Sequence, residues 1–197
     1  MLIDLRTVKT YVINLDKDTE RLERTSSLLE SLDMSFERFP GIQHQIGVVG
    51  CGLSHFKLLQ TVKPPVLILE DDIGVTKDFD PILEIPQEAD AVYLGVSKFG
   101  FVRTRPDVGL HRVVLASKYT PEYKRPLNMC STHAILYLSE DYVEASRIKI
   151  YECLTIIGMA FDLGLASIHK DHLILTPNSP FFYQLGQKEN TLFDLEV

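Results

Sequence analysis

The chain of 197 residues has only three cysteines, Cys51, Cys130 and Cys153, an odd number in no metal-type spacing. That pattern excludes a disulfide scaffold and is what a reducing compartment permits, so a cytoplasmic protein is expected. Long hydrophobic runs are lacking as well. Stretches such as Pro64 to Leu69 and Leu154 to Ile157 fall far short of the ~20 residues that a membrane-spanning helix requires. Met1 to Thr10 scatters Asp4, Arg6 and Lys9 among apolar residues, with no basic segment leading into a continuous apolar one, so an ordinary secretory signal is not expected. Excess positive charge is missing too. A net charge of −7 argues against a protein that coats nucleic acid or anionic membrane along its whole surface, and no nucleic-acid-binding motif is found.

What is present is the composition of a globular domain: 45% hydrophobic, 24% charged, 11 Gly and 10 Pro. No repeat, low-complexity tract or linker divides the chain, which reads as a single domain over 1–197. A chain of this size buries roughly 70% of its unfolded surface and needs neither disulfides nor a structural metal to fold. The charge is uneven. Lys98, Arg103, Arg105, Arg112, Lys118, Lys124 and Arg125 stand against only Asp107 and Glu122, a net of +5 that leaves −12 for everything else. A solvated basic loop explains this segment, with an anionic ligand as the alternative.

Val8 to Leu15 is β-branched and aromatic and predicts a first strand. A helix follows, with Asp18 as its cap and Leu22, Leu28, Leu29 and Leu32 near helical spacing. Phe36 to Phe39 predicts a short strand closed by Pro40, Gly41 to Gly52 a loop with four glycines, and Ser54 to Val62 a short helix. Val66 to Leu69 reads as a fully buried strand. Further strands are expected over Ala91–Val96, Arg112–Leu115, His133–Leu138 and Leu173–Leu175. Helices are expected from the Ser139 cap toward Lys149, and over about Glu152 to Ala166. Strands alternating with helices predict an α/β domain with a mostly parallel central sheet flanked by helices.

The sharpest feature is Val66-Leu67-Ile68-Leu69-Glu70-Asp71-Asp72. A buried strand ending in three carboxylates delivers them to the ligand-binding edge of a parallel sheet. Their mutual repulsion is resolved by a divalent cation, and carboxylate oxygens select hard ions such as Mg²⁺ or Mn²⁺. The competing reading is a turn in which Asp71 and Asp72 bond only the backbone. Gly47 to His55 forms a second feature, a glycine-rich loop opening a helix, of the kind that brings backbone N–H groups to a phosphate. It lacks the lysine of a P-loop and the spacing of a dinucleotide fingerprint, and a structural turn explains it nearly as well.

In order and spacing, Val12-Ile13-Asn14-Leu15-Asp16 with Arg21, Gly50-Cys51-Gly52-Leu53-Ser54-His55 and Ile68-Leu69-Glu70-Asp71-Asp72 resemble the signature blocks of glycosyltransferase family 25. That family includes lipooligosaccharide and procollagen galactosyltransferases. Thr132-His133-Ala134, Asp162 and Pro180 to Gln184 resemble its later blocks more thinly, and Lys98 to Arg125 matches none of them. The resemblance implies a GT-A-type, Rossmann-like fold. It also implies metal-dependent, inverting transfer of galactose or another hexose from a UDP-sugar to a glycan, lipid-linked or protein acceptor. Such a role belongs to glycan or lipopolysaccharide biosynthesis, in the cytoplasm or at the surface of a membrane carrying the acceptor.

Carried onto these residues, the resemblance makes Asp72 the principal metal ligand, with Glu70 or Asp71 assisting through water or the ribose. Asn14, Leu15, Asp16 and Arg21 would meet the nucleoside, although Arg21 could simply pair with Asp18 or Glu23. Gly50, Ser54 and His55 would face the donor diphosphate or sugar. Inversion needs a general base near the acceptor hydroxyl. Asp162, among apolar neighbours that raise its pKa, is the candidate, against the alternative that it caps a helix. His169, His172 and Gln184 are equal candidates for a late metal ligand. Two other functions use the same residues: a metal-dependent phosphohydrolase, and a nucleotide-sugar-binding protein without catalysis.

Overall fold

The computed structural model describes residues 1–103, 108–111 and 114–186. In chain order the elements are β1 (Leu2–Asp4), β2 (Lys9–Asn14), α1 (Thr19–Ser31), β3 (Glu37–Pro40), α2 (Gly47–Leu59), β4 (Val66–Glu70), β5 (Ile73–Val75), β6 (Ile82–Glu84) and β7 (Ala91–Tyr93). They continue with β8 (Gly100–Arg103), β9 (Val108–His111), β10 (Ala116–Lys118), β11 (Tyr123–Pro126), β12 (Ala134–Tyr137), α3 (Glu140–Glu152), α4 (Phe161–Ile168), β13 (Ile174–Pro177) and β14 (Phe182–Gln184). A π-helical turn, Cys153–Ile157, separates α3 from α4.

Eight strands form one sheet in the order β10-β11-β13-β7-β12-β4-β2-β3. The domain is therefore α/β, but the sheet is mixed. Only the pairings β2–β3, β2–β4 and β7–β13 are parallel, because β12 runs against both β4 and β7, and β11 against both β13 and β10. The apolar run of β12 matches a buried strand of either direction, so the sequence pattern could not tell them apart.

Alternation along the central strands sorts their side chains onto two faces. Val12, Leu67, Leu69, Val92, Leu136 and Leu175 pack with Leu29 of α1 and with Ile3 and Leu83 of the β1–β6 pair. Ile13, Ile68, Tyr93, Ile135 and Ile174 pack with Leu58 of α2, Tyr142 and Ile150 of α3 and Leu165 of α4. Helix α1 thus lies on one face and α2, α3 and α4 on the other.

From β2 the chain crosses one face through α1 to reach β3, then crosses the other through α2 to reach β4 on the far side of β2. The carboxyl ends of β2 and β4 consequently flank a topological switch point, where open α/β sheets bind ligands.

Three local expectations need correction. Gly47 to Gly52 is not a loop: α2 begins at Gly47, two turns before Ser54, and its glycines lie inside the helix. The helix expected over Glu152 to Ala166 is broken by the π-helical turn and by Gly158, whose φ of 66° is left-handed. Asp18 occupies the N-cap position of α1 without a side-chain hydrogen bond. By contrast, Ser139 caps α3, its hydroxyl accepting from the Tyr142 N–H at 3.1 Å. The strand expected over Arg112–Leu115 falls partly outside the described residues, as do Arg105, Asp107 and Arg112 of the basic segment.

Candidate functional site

The three acids after β4 have three different environments. Asp71 is buried and turned inward: Asn14 Nδ2 donates to one oxygen at 2.7 Å and Arg21 to the other at 3.1 Å. Its carbonyl accepts from Arg24 at 3.0 Å and Thr25 at 2.9 Å. Asn14 is equally committed, donating also to the Asp18 carbonyl at 2.9 Å and accepting from Arg38 Nε at 2.9 Å. Arg38 in turn pairs with Asp16. Asn14 and Asp71 therefore join the ends of β2 and β4 to α1. Arg21 pairs with Asp71, not with Asp18 or Glu23. A cavity of about 220 Å³ opens beside this lattice, lined by Leu15, Asp18, Arg21, Gly47, Cys51, Ser54, Glu70, Asp71 and Asp72 among others.

Glu70 sits at the centre of a second group. Its Oε1 accepts from Thr132 Oγ1 at 2.6 Å, lies 3.3 Å from His55 Nε2, and is 3.8 Å from Cys51 Sγ. Burial alone would raise the Glu70 carboxyl, but the His55 and Thr132 hydrogen bonds outweigh it and hold the group at about 2. The Cys51 thiol is driven far above its ordinary value, first by burial and then by Glu70 and Asp72. Cys51, His55 and Glu70 each offer one ligand atom, all within 4.8 Å of one another, and this group could hold a metal ion.

Asp72 lines the same cavity with one oxygen held and one left over. Gln184 Nε2 donates to Oδ2 at 3.0 Å, while Oδ1 is buried without a partner among the described residues. Burial, reinforced by the Glu70 charge, raises its pKa to about 6. Gln184 reaches Asp72 because β14 pairs with β5, placing Gln184 opposite Ile73, and because the Leu185 N–H donates to the Asp72 carbonyl at 2.6 Å. Phe181 and Phe182, beside Gln184 in the aromatic block, are core residues packed on Phe79.

Helix α2 explains the glycines by packing. A Cβ on Gly50 would lie 2.5 Å from the Ile42 carbonyl oxygen, and one on Gly52 3.1 Å from the Phe161 ring. Ser54 locks the same approach, donating to the Gly50 carbonyl and accepting from the Ile42 N–H, both at 2.7 Å. Ser54 and His55 are therefore buried in the middle of α2, not at its start. The helix N-terminus, with no side-chain cap, lies at Gly47, which lines this cavity and the next.

That second cavity, of about 280 Å³, shares Gly47 and Cys51 with the first and is also lined by Ser97, Phe99, Cys130, Thr132, His133, Phe161, Asp162 and Gln184. Asp162 arrives there because the π-helical turn and Gly158 end one helix and Ala160 begins another, which puts Asp162 in the first turn of α4. Its Oδ1 is buried without a partner among the described residues, and burial raises its pKa. His133 presents a similarly unpartnered Nε2, its Nδ1 lying 3.2 Å from Ser131 Oγ; burial lowers its pKa. The imidazole lies so close over Gly95 that a Cβ there would overlap it.

Of the three late candidates, only Gln184 reaches the cavities. His169 is buried against Tyr93, with Nε2 3.2 Å from the phenol oxygen. His172 faces Asp90 at 3.6 Å, just before β7 and at the sheet edge opposite Glu70. Sequence reasoning missed Cys51 as a site residue, although Cys51 and His55 are four apart and share a helix face. It also missed Thr132 and His133 as neighbours of Glu70, which adjoin it only because β12 is antiparallel to β4.

In comparisons with known proteins, no family model matches the chain and no curated protein is significantly similar to it. Among the described residues, no helix is long and apolar enough to cross a membrane.

Proposed function

We propose that the chain is a metal-dependent, inverting glycosyltransferase of GT-A type, moving a hexose from a UDP-sugar to an acceptor hydroxyl. One observation carries the reading. Asp72 and Asp162, 90 positions apart in sequence, each present a buried carboxylate oxygen with no partner among the described residues, and they line adjoining cavities at the switch point of the sheet.

The residues fit a hard divalent cation at Asp72, whose free Oδ1 has no protein partner among the described residues. Glu70 stands beside it as the assisting ligand, and Asp71 is excluded by its bonds to Asn14 and Arg21. A cation held there, Mn²⁺ or Mg²⁺, would neutralise charge on the departing diphosphate. The rest of the work falls to the chain. Leu15 and Arg21 line the cavity that would take the nucleoside, and the uncapped N-terminus of α2 at Gly47, which lines the same cavity, would offer its positive end to the diphosphate.

Asp162 acts as general base. It takes the proton of the acceptor hydroxyl while that oxygen bonds to the anomeric carbon from the face opposite the nucleotide, and the C–O bond to the nucleoside diphosphate breaks with its electron pair. Burial raises the basicity of Asp162, as this task requires.

The test is calorimetric titration of UDP, GDP and several UDP-sugars with and without Mn²⁺, followed by product analysis with candidate acceptors. Metal-dependent binding of one UDP-sugar is expected. Hydrolysis of the nucleotide without any acceptor would favour a phosphohydrolase, and no binding under any condition would refute the reading.

A further inference from the structure

We infer that Cys51, His55 and Glu70 form a second cation site, selective for zinc over magnesium or manganese, which shares Glu70 with the carboxylate site at Asp72 but draws its thiol and imidazole from α2. The distances carry the argument. Bond lengths of ~2.0 Å to nitrogen or oxygen and ~2.3 Å to sulfur, with tetrahedral angles, require ligand separations of about 3.3 Å for N to O and about 3.5 Å for S to O. The observed separations are 3.3 Å from His55 Nε2 to Glu70 Oε1 and 3.8 Å from Cys51 Sγ to the same oxygen. All three ligand atoms lie within 4.8 Å of one another.

The donor set decides the ion. One thiol, one imidazole and one carboxylate suit a borderline-soft cation, whereas Mg²⁺ and Mn²⁺ favour oxygen-rich shells. Three protein ligands leave a fourth position for water or a ligand oxygen, the pattern of open zinc sites. Access is provided, because Cys51 lines both cavities and Glu70 one of them.

The surroundings set the strength. Thr132 Oγ1 holds the Glu70 oxygen at 2.6 Å, but His55 Nδ1 is buried with no acceptor among the described residues to orient the ring. Missing second-shell support of that kind weakens metal affinity by about 10–100-fold. The site is thus an exchangeable zinc site and not a permanently loaded structural centre.

The experiment uses the full chain, treated with chelator and free of nucleotide, titrated with Co²⁺ and with Zn²⁺ against a chromophoric chelator. One equivalent of Co²⁺ should give thiolate charge-transfer absorption and the intense visible bands of a tetrahedral ion, displaced by Zn²⁺ and not by millimolar Mg²⁺. Cys51→Ser should abolish the thiolate band and weaken Zn²⁺ binding by at least about tenfold, while Cys130→Ser leaves both unchanged. Glu70→Gln keeps an oxygen for Thr132 and His55 and should weaken Zn²⁺ binding similarly; either variant suffices if the other does not fold. A weak octahedral Co²⁺ spectrum, or a Zn²⁺ affinity indifferent to both substitutions, overturns the inference. Because no donor sugar is present, failure here leaves the glycosyl-transfer reading intact, and failure of nucleotide binding leaves this one intact.

Discussion

Replacing two adjacent aspartates should move stability in opposite directions. Asp71→Asn puts an amide where both carboxylate oxygens accept hydrogen bonds, one from Asn14 and one from Arg21. A buried hydrogen bond to a charged group contributes about 1.5–3 kcal/mol. The half-exposed Arg21 pair adds about 0.5–1 kcal/mol, so the loss is about 2–4 kcal/mol. Asp72→Asn keeps a carbonyl oxygen for Gln184 and removes a charge whose burial raises the pKa from 3.8 to about 6. Here the folded-state value lies above the unfolded one. The favourable contribution of the protonated form is full below pH 4 and lost as pH rises toward 6, so above pH 6 the ionised group costs the fold up to about 3 kcal/mol. An unpartnered amide N–H₂ in its place offsets part of that relief, leaving a net gain of about 1–2 kcal/mol above pH 6. With about 2–4 °C of melting temperature per kcal/mol at this size, calorimetry of chelated protein at pH 8 should show Asp71→Asn melting well below wild type and Asp72→Asn above it. At pH 4 the Asp72→Asn gain should vanish. Equal destabilisation by both changes at pH 8 would refute the distinction between a structural and a ligand-facing carboxylate.

Asp162→Asn should lower transfer by about 10²–10⁴-fold with donor affinity unchanged in calorimetry; wild-type turnover in that variant removes Asp162 as the base. Gly95→Ala drives a Cβ into the buried His133 ring and should cost about 1–3 kcal/mol by urea unfolding, whereas a neutral effect would mean the ring moves freely. Burial lowers the pKa of His169 to about 3, and its Nδ1 has no partner among the described residues. Only the unfolded chain binds that proton between pH 6.5 and about 3, so the contribution of His169 to stability should fall by about 1.4 kcal/mol per pH unit on acidification through this window. His169→Gln should flatten that slope in urea titrations at successive pH values, and an unchanged slope would assign the acid sensitivity elsewhere.

Much of the fold was legible because its signals are local. Periodicity located α1, apolar runs located β2, β4 and β12, and the Ser139 cap with the acids after it located α3. The start of α2 was not legible. Gly47, Gly50 and Gly52 are loop residues by propensity, yet all three lie in α2, where the Ile42 carbonyl leaves no room for a Cβ at Gly50 and the Phe161 ring leaves little at Gly52. The break before Asp162 was hidden too, since an apolar run such as Leu154 to Phe161 carries no mark of a π-helical turn.

Hydrophobic pattern and charge placement are properties of neighbouring residues, so the amino-acid order alone specifies an α/β domain that buries a strand ending in Glu70, Asp71 and Asp72. The difference between these three acids arises from contacts made in three dimensions. Asn14 and Arg21 claim Asp71, Thr132 and His55 claim Glu70, and Asp72 keeps an oxygen without a partner among the described residues, in the cavity adjoining the one that Asp162 lines. Each of those partners comes from another part of the chain, and hydrogen bonding and burial depend on which groups meet in space.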